Sequence, residues 1–86
     1  MRTIWKIPLK ATDKQTIEVP RGGKFLHTDV KDEELCLWFE VLTESPKVKK
    51  EIWVFGTGNP IPDDLHVSYR GTVIVGSFAW HIYEEF

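Results

Sequence analysis

A second cysteine is missing, and with it every intrachain disulfide: Cys36 stands alone among 86 residues, so neither a disulfide framework nor a thiolate metal cluster holds this chain together. Long apolar runs are missing too. No stretch approaches the roughly 20 apolar residues that span a bilayer, and the opening MRTIWKIPLKATDK lacks a signal-peptide core. No membrane partner is expected, and a cytoplasmic location is. A basic excess is also absent. Eleven Lys and Arg against thirteen Asp and Glu give a formal charge of −2, which argues against a partner held mainly through duplex phosphates. Finally, no ten-residue stretch repeats apolar residues at helical spacing.

What is present is apolar and aromatic. The composition is 42% apolar and 13% aromatic, with four Trp and five Phe, enough for a folded chain of one domain over residues 1–86. So small a core leaves little spare stability. With disulfide and metal removed as supplements, a homo-oligomer is the expected assembly.

Short β-rich runs recur between turn residues, so the fold class is all-β: an antiparallel meander of about seven short strands, closing as a sandwich or a partly open barrel. The expected runs are Thr3 to Leu9, Thr16 to Val19, Lys24 to Val30, Leu35 to Leu42, Lys47 to Phe55, His66 to Val75 and Phe78 to Tyr83. In the third, alternation places Leu26, Thr28 and Val30 on one face and Phe25, His27 and Asp29 on the other. The fourth is apolar on both faces and is expected at the centre of a sheet. The fifth reads as solvated in its first half and buried in its second. Gly56 to Asp64 holds glycines and prolines that cannot continue a ladder, while Gly76-Ser77 fits a two-residue hairpin turn.

Catalytic chemistry lacks its parts. Cys36 sits in the most apolar strand, where a thiol is inert. His27, His66 and His81 show no metal-ligand spacing. The carboxylates at Asp32 to Glu34, Asp63-Asp64 and Glu84-Glu85 read as solvated groups of turns and the terminus. No enzyme activity, metal or cofactor is expected.

Binding has better material. Arg21-Gly22-Gly23-Lys24 places two cations beside unencumbered backbone amides, which suits a phosphate or carboxylate, although an ordinary turn with flanking charges is the favoured explanation. Thr57, Gly58 and Asn59 offer a hydroxyl, close backbone approach and an amide, without the spacing of a nucleotide-hydrolysing phosphate loop. Trp38 and Trp53 fall opposite the cleaner apolar stripes of their strands, which implies a second apolar surface: an oligomer interface, a ligand pocket or the other sheet of a sandwich.

The segments MRTIWKIPL, TIEVPRGGKFLHTDV, ELCLWFEV, WVFGTGNPI and GTVIVGSFAWHIYE, in that order, resemble a family of short uncharacterised proteins from bacteriophages and prophages. The resemblance carries no catalytic residues. It implies a phage setting inside an infected cell, where small proteins of this kind often oppose host defence. The leading expectation is a sponge for a phosphorylated or cyclic nucleotide immune signal, with Arg21, Gly22, Gly23 and Lys24 at phosphate and Thr57, Gly58, Asn59, Trp38 or Trp53 at base or sugar. The alternatives are a protein-binding inhibitor of a defence system, anti-CRISPR-like in action, and a minor phage structural or assembly protein.

Overall fold

Leu37, Phe39 and Val41 recur every second residue and are each exposed by 2% or less, the mark of a strand with one face fixed on the core. That strand is β4 (Glu34–Leu42), central to a three-stranded sheet with β1 (Arg2–Pro8) and β3 (Lys24–Lys31) on either side. The computed structural model describes residues 1–86, with seven antiparallel strands and no helix. The other four strands, β2 (Lys14–Pro20), β5 (Lys47–Gly56), β6 (Val67–Val75) and β7 (Phe78–Glu85), form a second sheet in the order β2-β5-β7-β6. With no helix present, none is long and apolar enough to cross a membrane.

The two sheets face each other as a sandwich and do not close into a barrel. Only β3–β4 and β6–β7 are consecutive neighbours, so the connectivity is more crossed than a simple meander. Between the sheets lies one core: Leu37, Phe39 and Val41 from one side meet Ile17, Val19, Ile52 and Ile82 from the other. Trp5, Phe25, Val54 and Trp80 pack against its margin. Burial of this apolar surface is the main stabilising term.

Two expectations about side-chain direction are corrected. In β3, the register against β4 shifts between Phe25 and His27, a bulge at Leu26. The extra residue reverses the alternation ahead of it, so Phe25 turns to the core beside Thr28 and Val30, and Leu26 faces out. The second correction concerns Glu84, read as a solvated acid near the terminus. It is only 7% exposed, because β7 continues to Glu85 and directs Glu84 inward, where Lys50 Nζ donates to it at 2.9 Å and Arg70 Nε at 3.1 Å. Lys50, in the half of β5 read as solvated, points inward for the same reason.

One edge of the sandwich is drawn together where β3 meets β6. Thr28, buried, donates its hydroxyl to the Arg70 carbonyl. Gly71 sits at a second register shift, between Tyr69 and Gly71, with φ +129, and a Cβ there would crowd Thr28 at 3.1 Å. The guanidinium of Arg70 also lies over the Phe25 ring, 5.1 Å from its centre.

Candidate functional site

Strand direction decides which candidate residues can meet. β5 runs from Lys47, opposite Pro20 of β2, to Gly56, opposite Trp80 of β7. Its ten residues extend about 30 Å. The Arg21-Gly22-Gly23-Lys24 turn lies at the first end and the Thr57-Gly58-Asn59 turn at the other. At the first end, the Arg21 amide donates to the Pro46 carbonyl at 2.8 Å and the Gly23 amide to Pro20 at 3.0 Å, with Gly22 at φ +80. The arrangement is a well-bonded chain reversal. Arg21 and Lys24 are exposed and make no ion pair.

The two tryptophans are likewise apart. Trp38 alternates with buried Leu37 and Phe39, so it lies on the outer face of the three-stranded sheet, with the His27 ring 5.9 Å away. Trp53 alternates with buried Ile52 and lies on the outer face of the four-stranded sheet. The implied second apolar surface is therefore two surfaces on opposite sides of the molecule. Of the nine residues assigned to one ligand, Trp53, Thr57, Gly58 and Asn59 share a sheet face or its end. Trp38 and the Arg21 to Lys24 turn lie elsewhere.

Around those four, the outer face of the four-stranded sheet carries a row of rings. Trp53 stacks on Phe55 at 5.8 Å, Phe55 meets Tyr83 edge-on at 5.8 Å, and Tyr83 meets Tyr69 at 5.4 Å. The Lys14 ammonium lies 5.0 Å from the Trp53 ring centre. Beside the row, Thr57 Oγ1 is hydrogen-bonded to His81 Nε2 at 2.7 Å, and Thr72 Oγ1 to His81 Nδ1 at 2.8 Å, with the Tyr69 hydroxyl completing the chain. Hydroxyls serve as donor or acceptor, so either tautomer of His81 satisfies both links. The Asn59 amide closes a turn on the Gly56 carbonyl at 3.0 Å, and Gly58 at φ +90 gives that turn type II geometry. Together Phe55, Thr57, Asn59, Ile61, His81 and Tyr83 edge a shallow hollow of about 250 Å³, with no lysine or arginine among its walls.

A larger opening lies at the same end, between the sheets. Val73 and Trp80, then Val75 and Phe78, are successive cross-strand pairs on the inner face of β6 and β7. Val73 is 5% exposed, yet Val75 is 39% and Phe78 63% exposed. The hairpin therefore overhangs the end of the opposite sheet, and its core-facing side continues into solvent. Beneath the overhang is a crevice of about 370 Å³, floored by Leu9, Leu35, Val54, Val75 and Trp80. Phe78 stacks on Trp80 at 5.7 Å, and Ile74 on the outer face is 67% exposed. The lip opposite is held by a β3–β4 turn in which Asp32 and Glu33 both have positive φ, 53° and 65°, the type I′ pattern of tight hairpins. The Leu9 amide donates to Leu35 at 2.8 Å, and the Gln15 side chain brackets the Lys10 amide and carbonyl at 2.9 Å each. The walls are thereby pre-set rather than loose.

No three His, Cys, Asp or Glu side chains converge on a metal position. Cys36 is fully buried, and burial is the main cause that pushes its thiol up from the ordinary value. Asp29 is held below the ordinary carboxylate range, chiefly by the Val30 amide and then by His27, on an exposed surface away from either opening.

The overhang went unread in the sequence, although one signal was present. Ile74, Val75 and Phe78 bracket the Gly76-Ser77 turn, and hairpin tips ordinarily carry polar residues there. Thr72 is the cross-strand partner of His81 in the β6–β7 hairpin, whereas Thr57 comes from the long loop, and only the fold brings it to His81.

A family model described as a domain of unknown function, DUF7352, matches residues 1–86. No curated protein and no solved structure matches the chain.

Proposed function

Because the chain belongs to the DUF7352 family along its whole length, a family without an assigned activity, we propose its role from the site's own chemistry: it is a non-enzymatic binding module that docks another protein at the open end of the sandwich. One observation carries this reading. The inner face of β6 and β7 runs past the sheet that should cover it, leaving Val75 and Phe78 exposed beside an apolar crevice. Contiguous apolar surface of this kind marks interaction sites in soluble proteins. An aromatic anchor beside a pocket is the usual energetic centre of a protein interface. The phage setting, the infected cell's cytoplasm and an inhibitory action on a host defence protein belong to the same proposal, supported by the resemblance of the segments quoted above.

Selection from a displayed heptapeptide library tests it. Wild type serves as bait, and Phe78→Glu serves as the counter-bait. The variant is expected to unfold in urea within about 0.5 kcal/mol of wild type, since the ring contributes little to the core. Peptides that bind wild type at least tenfold more tightly than the variant are expected. If no enriched peptide discriminates between the two, docking at this end is wrong.

A nucleotide sponge is the second reading, favoured by the His81 chain beside the aromatic row. The hollow there suits one planar ring held by Thr57, Asn59 and His81. Its phosphates would draw on Arg21 and Lys24 only from a neighbouring copy in a homo-oligomer, because those cations lie at the far end of the same chain. Cyclic dinucleotides and cyclic ADP-ribose isomers titrated into labelled protein would shift the Thr57, Asn59 and His81 amides. No shift at millimolar ligand removes this reading.

A further inference from the structure

We infer that the crevice takes a basic apolar segment of a partner protein: a bulky apolar side chain flanked by lysine or arginine. The inference rests on the docking reading above and specifies its partner's chemistry. The floor is apolar, formed by Leu9, Leu35, Val54 and Trp80, and about 370 Å³ accommodates a large aliphatic or aromatic side chain. The rim is acidic. Asp13, Glu33 and Glu34 stand around the mouth against one ammonium, Lys10. None of these four groups is engaged in an ion pair, so all three carboxylates are available to an incoming charge.

Charge complementarity therefore selects the occupant. An apolar side chain enters beside Val75 and Trp80, next to Phe78 of the hairpin tip, while flanking cations meet Asp13, Glu33 and Glu34. Rim charges of this kind act on encounter rate and on discrimination more than on total affinity. A second copy of this chain is a poorer occupant, because two such mouths face to face oppose like charges. An acidic segment is excluded on the same ground.

Three acetylated and amidated pentapeptides test the assignment, each with a leucine-phenylalanine-leucine core. The flanking residues are lysine in the first, glutamine in the second and glutamate in the third. Calorimetry is expected to show the lysine peptide binding at least tenfold more tightly than the glutamine peptide, and the glutamate peptide weaker still. The advantage of the lysine peptide should shrink between about 0.05 and 0.5 M salt, where screening lengths become short. The triple variant Asp13→Asn, Glu33→Gln, Glu34→Gln should bring the three peptides to within a factor of two or three.

Equal binding of all three peptides to wild type, lost in Phe78→Glu, overturns the basic-segment assignment and leaves docking at the open end intact. Binding by none of them at millimolar peptide, together with a failed library selection, overturns both. A stable dimer that dissociates in Phe78→Glu also overturns the assignment, since the occupant is then a second copy.

Discussion

Gly71→Ala is expected to destabilise the protein by about 3 kcal/mol, through two separable causes. The first is backbone conformation. At φ +129 the position lies where residues with a Cβ rarely go, and strain there costs roughly 1–3 kcal/mol. The second is contact. A Cβ on Gly71 would stand 3.1 Å from the Thr28 Cβ and 3.4 Å from its hydroxyl oxygen. Thr28 cannot retreat easily, because it is buried and its hydroxyl is committed to the Arg70 carbonyl. A double-mutant cycle with Thr28→Gly separates the causes: the contact part should vanish in that background, while the strain remains. A loss under 1 kcal/mol for Gly71→Ala in urea unfolding would mean that the β3–β6 seam is loose.

Glu84→Leu is expected to cost a similar amount, near 3 kcal/mol, for an electrostatic reason. The carboxylate is almost enclosed and holds two cations, Lys50 and Arg70, whose side chains are 22% and 28% exposed. Deleting the anion leaves both cations partly dehydrated and facing each other. Breaking a buried pair in this way costs about 3–5 kcal/mol, and the partial exposure of the cations sets the lower end. For a domain of this size each kcal/mol lowers Tm by roughly 4–8 °C, so a fall of about 12 °C or more is expected. Replacing all three groups together, as Lys50→Met, Glu84→Leu and Arg70→Met, should recover most of the loss, since an apolar core of equal volume needs no counter-charge. A single variant Glu84→Leu that melts with wild type would contradict the buried triad.

Much of the architecture was legible because β-strands announce themselves locally. The Leu35 to Leu42 run became β4 with one residue added, and the Gly76-Ser77 turn joins β6 to β7 as expected. Period-two alternation and turn chemistry are properties of neighbouring residues, which a sequence displays directly. Leu26 was misdirected because a bulge depends on the partner strand, here β4, and leaves no mark in β3 alone. Glu84 was misread for a related reason: two adjacent acids near the end look solvated until Lys50 and Arg70 arrive from other strands. The candidate site suffered most. Glycines and cations identify turns that could bind, yet only strand direction shows that Arg21 and Thr57 lie about 30 Å apart at opposite ends of β5. The crevice is the harder case, since it arises where one sheet outruns the other, and relative sheet length is set by packing across the sandwich.

Amide chemical shifts of the labelled protein, followed as the lysine-flanked peptide is added, test the docking claim most directly. Perturbations should concentrate on Leu9 to Asp13, Glu33 to Leu35, Val54 and Val75 to Trp80, the residues that floor and rim the crevice together with the hairpin tip. Shifts centred instead on Thr57, Asn59 and His81, or on the Arg21 to Lys24 turn, would place binding elsewhere and contradict a docking surface at the open end.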